Sequence, residues 1–470
     1  MTNKSKYELL INNTLLISIG TFGSKILTFL MTRFYTEALT PSDYGEADLI
    51  IQTANLLIPL VSAGIADGVF RFVLETDDEH TAKRKSIFSA GFYTISAGTA
   101  ILAALSSFIS IPGFLSEYKW LLIWFISASC YHSLCAQFIR GEGKTRLFAY
   151  QGVLNTVLVI VFSILFLSVF EAGTRGYIIS IALADSICAL YLAAGQKLWR
   201  LMDIHLKSGM WRKMMRYSLP LVPAALFWWI TSVSDRYMIT WFLGSGANGI
   251  YTVASKIPAI ITLISGMFLE AWQFSAVRES RGSRRSYISF YTNIWSMFLT
   301  VMFIGGSIII AFSPAAIRLL AASEYYSAAE YLPILTAAAI LSSLVSFMGS
   351  VYIVTKRSSL SFLTTAAGAV FNIILNFLLI PTHLGIYGAA IATLCSYLLS
   401  FLIRIISIRN ILPFRIYGGR LFMSILIIAV QIISSSWDGH LNTGIQLSCF
   451  LSLAAINIHP LIAYVKSSRL

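Results

Sequence analysis

Fourteen apolar stretches, each about as long as a helix that crosses a bilayer, decide what this chain can fold into. They centre near Ile19, Ile58, Thr99, Phe125, Ile160, Leu183, Ile230, Thr262, Phe298, Ala339, Ile373, Leu394, Leu426 and Ala455. A helix of about 20 apolar residues satisfies its backbone hydrogen bonds internally, which is the condition for lying in hydrocarbon. Of the 470 residues, 57% are hydrophobic and 12% charged, where a soluble domain carries about a quarter charged residues. The expectation is an all-α integral membrane protein of about 14 transmembrane helices with no large aqueous domain. The first apolar run has no small-residue cleavage site and is expected to stay as a span.

The 34 Lys and Arg against 21 Asp and Glu leave a net charge of +13. In a soluble protein that excess raises nucleic acid as a partner, but here its distribution says otherwise. With the N-terminus inside, 27 of the 34 basic residues fall in cytoplasmic segments, among them Lys83, Arg84 and Lys85, and Arg404, Arg409, Arg415 and Arg420. The positive-inside rule then places both termini in the cytoplasm of a multi-pass protein of the cell membrane, with no nucleic acid partner. Cys130, Cys135, Cys188, Cys395 and Cys449 all sit inside apolar runs and read as packed thiols. No His/Cys metal spacing, Gly-rich phosphate loop or GxSxG is present, so neither a cofactor nor enzymatic chemistry is expected.

The longest polar stretch, residues 196–217, interleaves Trp199, Met202, Trp211, Met214 and Met215 with Lys and Arg. It reads either as an amphipathic segment in the headgroup layer or as a solvated basic loop. It separates an N-terminal lobe of six helices (1–195) from a C-terminal lobe of six (218–408), followed by two additional helices (409–470). The two sides resemble each other. Arg33 precedes Gly45 by 12 residues and Arg236 precedes Gly249 by 13; Glu75 and Glu279 follow these glycines by 30. Pro59 and Pro258 fall inside the following apolar segments, where each can kink a helix. Two units of six helices are expected to be related by a pseudo-twofold axis along the membrane normal, as in alternating-access transporters.

Ionisable groups inside spans are costly and mark function by default. Here they are Lys25, Arg33, Asp48, Asp67, Asp185, Asp235, Arg236, Lys256 and Glu270. If the helices that carry most of them line a cleft between lobes, Lys25, Arg33, Arg236 and Lys256 form a cationic surplus suited to an anionic headgroup. The alternatives are ion pairing with neighbouring acids for the lysines and snorkelling for the arginines. Asp67, Glu270 and Asp235 are candidates for a coupling ion; Asp67, between Gly64 and Gly68, also reads as a helix-end cap beside a close helix approach. His132 is either a titrating group or a packed histidine.

Three stretches, Arg33 to Leu49, Ser234 to Pro258 and Gly368 to Tyr397, together resemble the polysaccharide transporter branch of the multidrug/oligosaccharidyl-lipid/polysaccharide exporter superfamily. The most specific parts are Asp235-Arg236-Tyr237 with Gly249-Ile250-Tyr251, and Asn372, Asn376, Pro381, Gly385 and Gly388 with the run Ala389 to Thr393. The resemblance implies two six-helix lobes around a central cavity and flipping of undecaprenyl-diphosphate-linked oligosaccharides across the cytoplasmic membrane for surface polysaccharide synthesis. It also implies membrane lipids, a polymerase and glycosyltransferases as partners. The four cations would hold the diphosphate, and Tyr35, Tyr44, Tyr237 and Tyr251 would stack on sugars. A multidrug-type cation antiporter of the same superfamily and a non-transporting cell-wall synthesis scaffold are the alternatives.

Overall fold

A computed structural model describes residues 23–76, 81–108, 114–203, 208–279, 283–355, 357–437 and 440–458. Within them the chain is almost wholly helical. Eight helices are long and apolar enough to cross a membrane, and ten spans result if each of two bent helix pairs counts as one. Three of the other four apolar stretches fall on Leu221–Leu243 (α9), Gly418–Ser434 (α17) and His440–Asn457 (α18); the centre of the first, near Ile19, lies outside the described residues, which begin with a helix over 23–38 (α1). Of these, α9 carries Asp235 and Arg236, and α17 has only 17 residues. The described residues divide by their contacts into two units, the first ending at Ser234 and the second beginning at Asp235, inside α9.

The first unit continues from α1 through α2 (Pro41–Ser62), α3 (Ile65–Leu74), α4 (Thr81–Phe108), α5 (Lys119–Gly141), α6 (Thr145–Ile164) and α7 (Gly173–Gly195). Thr40 caps α2 by accepting from the Asp43 N–H at 3.2 Å, and Pro41 sits where a missing N–H costs nothing. The helix stops where Ala63 and Gly64 turn left-handed (φ 50° and 64°), and α3 leaves at 55° to α2. Pro59 lies inside α2, so the break falls a turn beyond the proline that the sequence marks. Ile87, Phe88, Leu134, Phe138, Ile139 and Ile178 build a core between α4, α5 and α7.

The segment 196–217 is described over residues 196–203 and 208–217, and there it is not a free loop. Its described part packs on this unit through buried Leu198 and Met214. Ser89 Oγ donates to the Leu201 carbonyl at 3.0 Å and accepts from the Asp203 N–H at 2.8 Å, and Trp211 donates to Thr94 at 3.1 Å. Helix α8 (Ser208–Ser218) ends against the two glycines flanking Asp67: a Cβ on Gly68 would lie 2.4 Å from Ser218 Oγ. The GxxxG spacing therefore serves a close approach, with the linker helix as the partner.

The second unit runs from the end of α9 through α10 (Ser245–Lys256), α11 (Pro258–Glu279), α12 (Arg284–Ala311), α13 (Ser313–Leu320), α14 (Ala328–Val354), α15 (Ser358–Leu379) and α16 (Ile386–Arg409) to α17 and α18. The chain bends by 46° between α10 and α11, directly at Pro258, whose ring nitrogen cannot donate to the preceding turn. Both units thus carry a bent helix pair after their Arg-to-Gly segment. Helix α14 is the hub, with 89% of its apolar window buried. Trp272, Tyr291, Trp295, Phe298, Phe347 and Phe414 form an aromatic core around it.

Candidate functional site

Sequence-distant polar residues converge inside the second unit. Asp235 on α9 accepts from the Tyr251 hydroxyl of α10, and its Oδ1 accepts from the Arg236 N–H at 2.9 Å. The Tyr251 hydroxyl also neighbours Thr393 on α16. Asn372 on α15 donates to Thr393 Oγ1 at 3.4 Å and accepts from Asn376 at 2.9 Å. Arg236 reaches Thr252 and Ser255 hydroxyls, each at 3.5 Å. The residues that carry the family resemblance in two separate stretches, 234–258 and 368–397, therefore meet in one polar cluster among apolar helices. Asp235 and Arg236 are the charged groups of the cluster, and Thr393, Asn372 and Asn376 extend it from Tyr251 with neutral donors and acceptors. Among the described residues no group of three His, Cys, Asp or Glu side chains could hold a metal ion.

A second polar cluster lies inside the first unit. His132 on α5 and Asp185 on α7 sit 3.0 Å apart, Nδ1 to Oδ1. The other ring nitrogen of His132 is 2.6 Å from Gln151 Oε1, Asn155 donates to Asp185 Oδ1 at 2.8 Å, and Ser129 donates to Oδ2. The imidazole and the carboxylate thus lie within hydrogen-bonding distance inside the apolar bundle, each with further polar partners. Sequence reasoning placed both residues in spans but left them unconnected, because they are 53 residues apart.

The four cations singled out from the sequence fall two in each unit. Lys25 is exposed on α1, and Arg33 makes an i,i+4 ion pair with Glu37 at 2.6 Å. Glu37, the missed partner, was legible from its spacing alone. Arg236 belongs to the Asp235 cluster, and Lys256 ends α10 at the bend, half-buried, where the helix dipole favours a cation. Asp67 is exposed in the first turn of α3, and Asp48 is buried with Gln52 donating to it at 3.4 Å. The Glu270 side chain lies outside the described residues. Two of the aromatics expected to stack on sugars are instead packed: Tyr35 and Tyr44 are each 3% exposed and lie against Tyr177. Tyr251 is committed to Asp235 in the same way. The five cysteines are free thiols.

A bundle of long apolar helices in two units, with bent helix pairs and charged groups held in polar clusters, defines a multi-pass membrane protein. The family model for polysaccharide biosynthesis proteins matches residues 10–274, and the chain belongs to that family. No curated protein matches the sequence. Among solved structures, the lipid II flippase MurJ in an inward closed conformation is 15% identical with a TM-score of 0.69, covering 95% of this chain and 100% of that one. An outward-facing multidrug resistance MATE family transporter of the MOP superfamily is 16% identical with a TM-score of 0.58, covering 86% of this chain and 94% of the other. The Vibrio cholerae MATE transporter VcmN is 14% identical with a TM-score of 0.53, covering 87% and 98%. At these identities the likeness is one of fold.

Proposed function

We propose that this protein is a flippase that moves an undecaprenyl-diphosphate-linked oligosaccharide across the cytoplasmic membrane by alternating access, for surface polysaccharide synthesis. The observation that carries the reading is the match to the polysaccharide biosynthesis family on a fold similar to that of a lipid II flippase. Lys25, Arg33, Arg236 and Lys256 meet the charge of the diphosphate, an assignment favoured by the strength of cation–phosphate hydrogen bonds away from bulk water. Asp235, Asp67 and Glu270 are the candidates for a coupling ion, and Asp235 has more polar partners around it than the exposed Asp67. A polymerase and glycosyltransferases of the same pathway are the expected partners.

Reconstituted protein and a fluorescent polyprenyl-diphosphate oligosaccharide test the reading. Lys25→Gln and Lys256→Gln are each expected to lower the flipping rate at least tenfold while membrane insertion and melting temperature stay near those of the parent. Normal flipping in both variants would remove the cationic-site assignment. Efflux of organic cations without lipid flipping would favour the antiporter alternative.

A further inference from the structure

The connection between α16 and α17 does more than carry topological charge. It folds into a pocket of about 820 Å³ whose described lining comes from residues 405–421, with Arg409, Arg415 and Arg420 and no acidic residue among them. We propose that this pocket binds the phosphate-bearing headgroup of an anionic membrane lipid.

Three features argue that it is a built site. First, the segment is pinned from below. Phe414 is buried 4.7 Å from the Tyr291 ring, Trp295 donates to the Ile416 carbonyl at 3.1 Å, and the Arg415 N–H donates to Thr292 Oγ1 at 3.2 Å. With Phe414 and Ile416 held inward, Arg415 between them is exposed, so the pocket's shape is set before a ligand arrives.

Second, the positive charge meets no carboxylate among the described residues. Arg420 donates to Ser296 Oγ at 2.8 Å, to the Ser296 carbonyl and to Thr300 Oγ1, all neutral oxygens. Arg415 and Arg420 both lie over the Tyr417 ring, at 5.2 and 5.5 Å, which orients two guanidinium groups around one aromatic platform. Arg409 makes no ion pair among the described residues. Three guanidinium groups lining one concavity supply the charge and the donors that phosphate oxygens accept. Tyr417 turns left-handed (φ 56°) to start α17, and no atom approaches within 4 Å of where a Cβ on Gly418 or Gly419 would stand. Gly418 and Gly419 are exposed and line the pocket, so the start of α17 lies beside the arginines.

Third, apolar surface adjoins the pocket on both helices. Leu402 and Ile406 on α16 are 49% and 70% exposed, and Phe422 and Met423 on α17 are 66% and 43% exposed. A free phosphate has no use for this surface. A lipid does, because its acyl chains lie along these side chains while its headgroup sits among the arginines.

The test is lipid retention by the detergent-purified full chain, read by native mass spectrometry and thermal shift, with phosphatidylglycerol, phosphatidylcholine and inorganic diphosphate as probes. The parent protein is expected to retain phosphatidylglycerol over phosphatidylcholine. Arg409→Gln with Arg415→Gln, both exposed and outside the structural hydrogen bonds of Arg420, is expected to weaken that retention at least tenfold. Equal retention of the two phospholipids overturns the proposal, as does unchanged retention in the double variant. Displacement of phosphatidylglycerol by stoichiometric inorganic diphosphate also overturns it, because the anion alone would then be the ligand. The assay involves no transport, so its failure leaves the flippase reading untouched, and the converse holds.

Discussion

Asp185 accepts from Ser129, from Asn155 at 2.8 Å and meets His132 at 3.0 Å, so one substitution removes three contacts. Side-chain hydrogen bonds in bilayers average about 0.6 kcal/mol and reach about 1.7 kcal/mol, because the unfolded chain in the membrane also finds partners. Three such contacts set the cost of Asp185→Ala at about 2 to 5 kcal/mol. Asp185→Asn is a milder change. Its carbonyl oxygen serves Asn155 and His132, while its amide donates to a Ser129 hydroxyl that rotates to accept. The expected cost is about 1 kcal/mol. Reversible unfolding in bicelles measures both, and the ranking Ala far below Asn is the essential result. Values within about 0.5 kcal/mol of each other would refute the idea that hydrogen bonding, not packing volume, sets the role of Asp185. A double-mutant cycle with His132→Ala adds a second check, since a direct contact requires coupling of about 1 kcal/mol.

Gly68→Ala is expected to destabilise by about 1 to 2 kcal/mol, because overpacking against Ser218 Oγ, 2.4 Å from the new Cβ, outweighs the better helix propensity of Ala. In a Ser218→Ala background the clash disappears, and the same change should become neutral or stabilising by up to about 1 kcal/mol in a melting assay. Equal costs in the two backgrounds would mean that α8 does not dock on the Gly64 to Gly68 face. Arg404, 4% exposed on α16, donates to Thr364, Thr365 and the Val345 carbonyl. Both threonines already bond to the Ser361 carbonyl, so Arg404→Met orphans no donor and should be neutral or stabilising by about 1 to 4 kcal/mol. A loss above 1 kcal/mol in the same unfolding assay would contradict this. Full stability with reduced transport would mark Arg404 as kept for function.

Helix existence was legible because a span needs a long apolar run and nothing else, and each of the thirteen runs centred on described residues falls on a helix. What escaped the sequence were features set by where one helix meets another. Pro59 marks α2 as bendable, yet the bend comes where Ala63 and Gly64 turn left-handed, and no proline rule predicts that displacement. The Asp235 cluster was legible only as separate motif residues, since nothing in the spacing of Asp235, Asn372 and Thr393 states that α9, α15 and α16 bring them within reach. His132 and Asp185 were likewise visible singly and not as a pair.

Arg404 and Arg415 show why a basic residue near a span end cannot be assigned from charge counting. Both belong to the same basic stretch at the end of α16, and the positive-inside rule treats them alike. The fold separates them completely. Gly349 leaves room for the Arg404 guanidinium, 2.7 Å from where its Cβ would be, and two threonines and a carbonyl satisfy it inside the bundle. Arg415 follows a phenylalanine that the aromatic core has captured, and is turned outward by that capture. One cation is thus satisfied by the protein itself and the other is presented to something outside it. The difference between them lies in the residues on α14, α15 and α12 that surround each one, so a cation's role in this bundle follows from its packing partners.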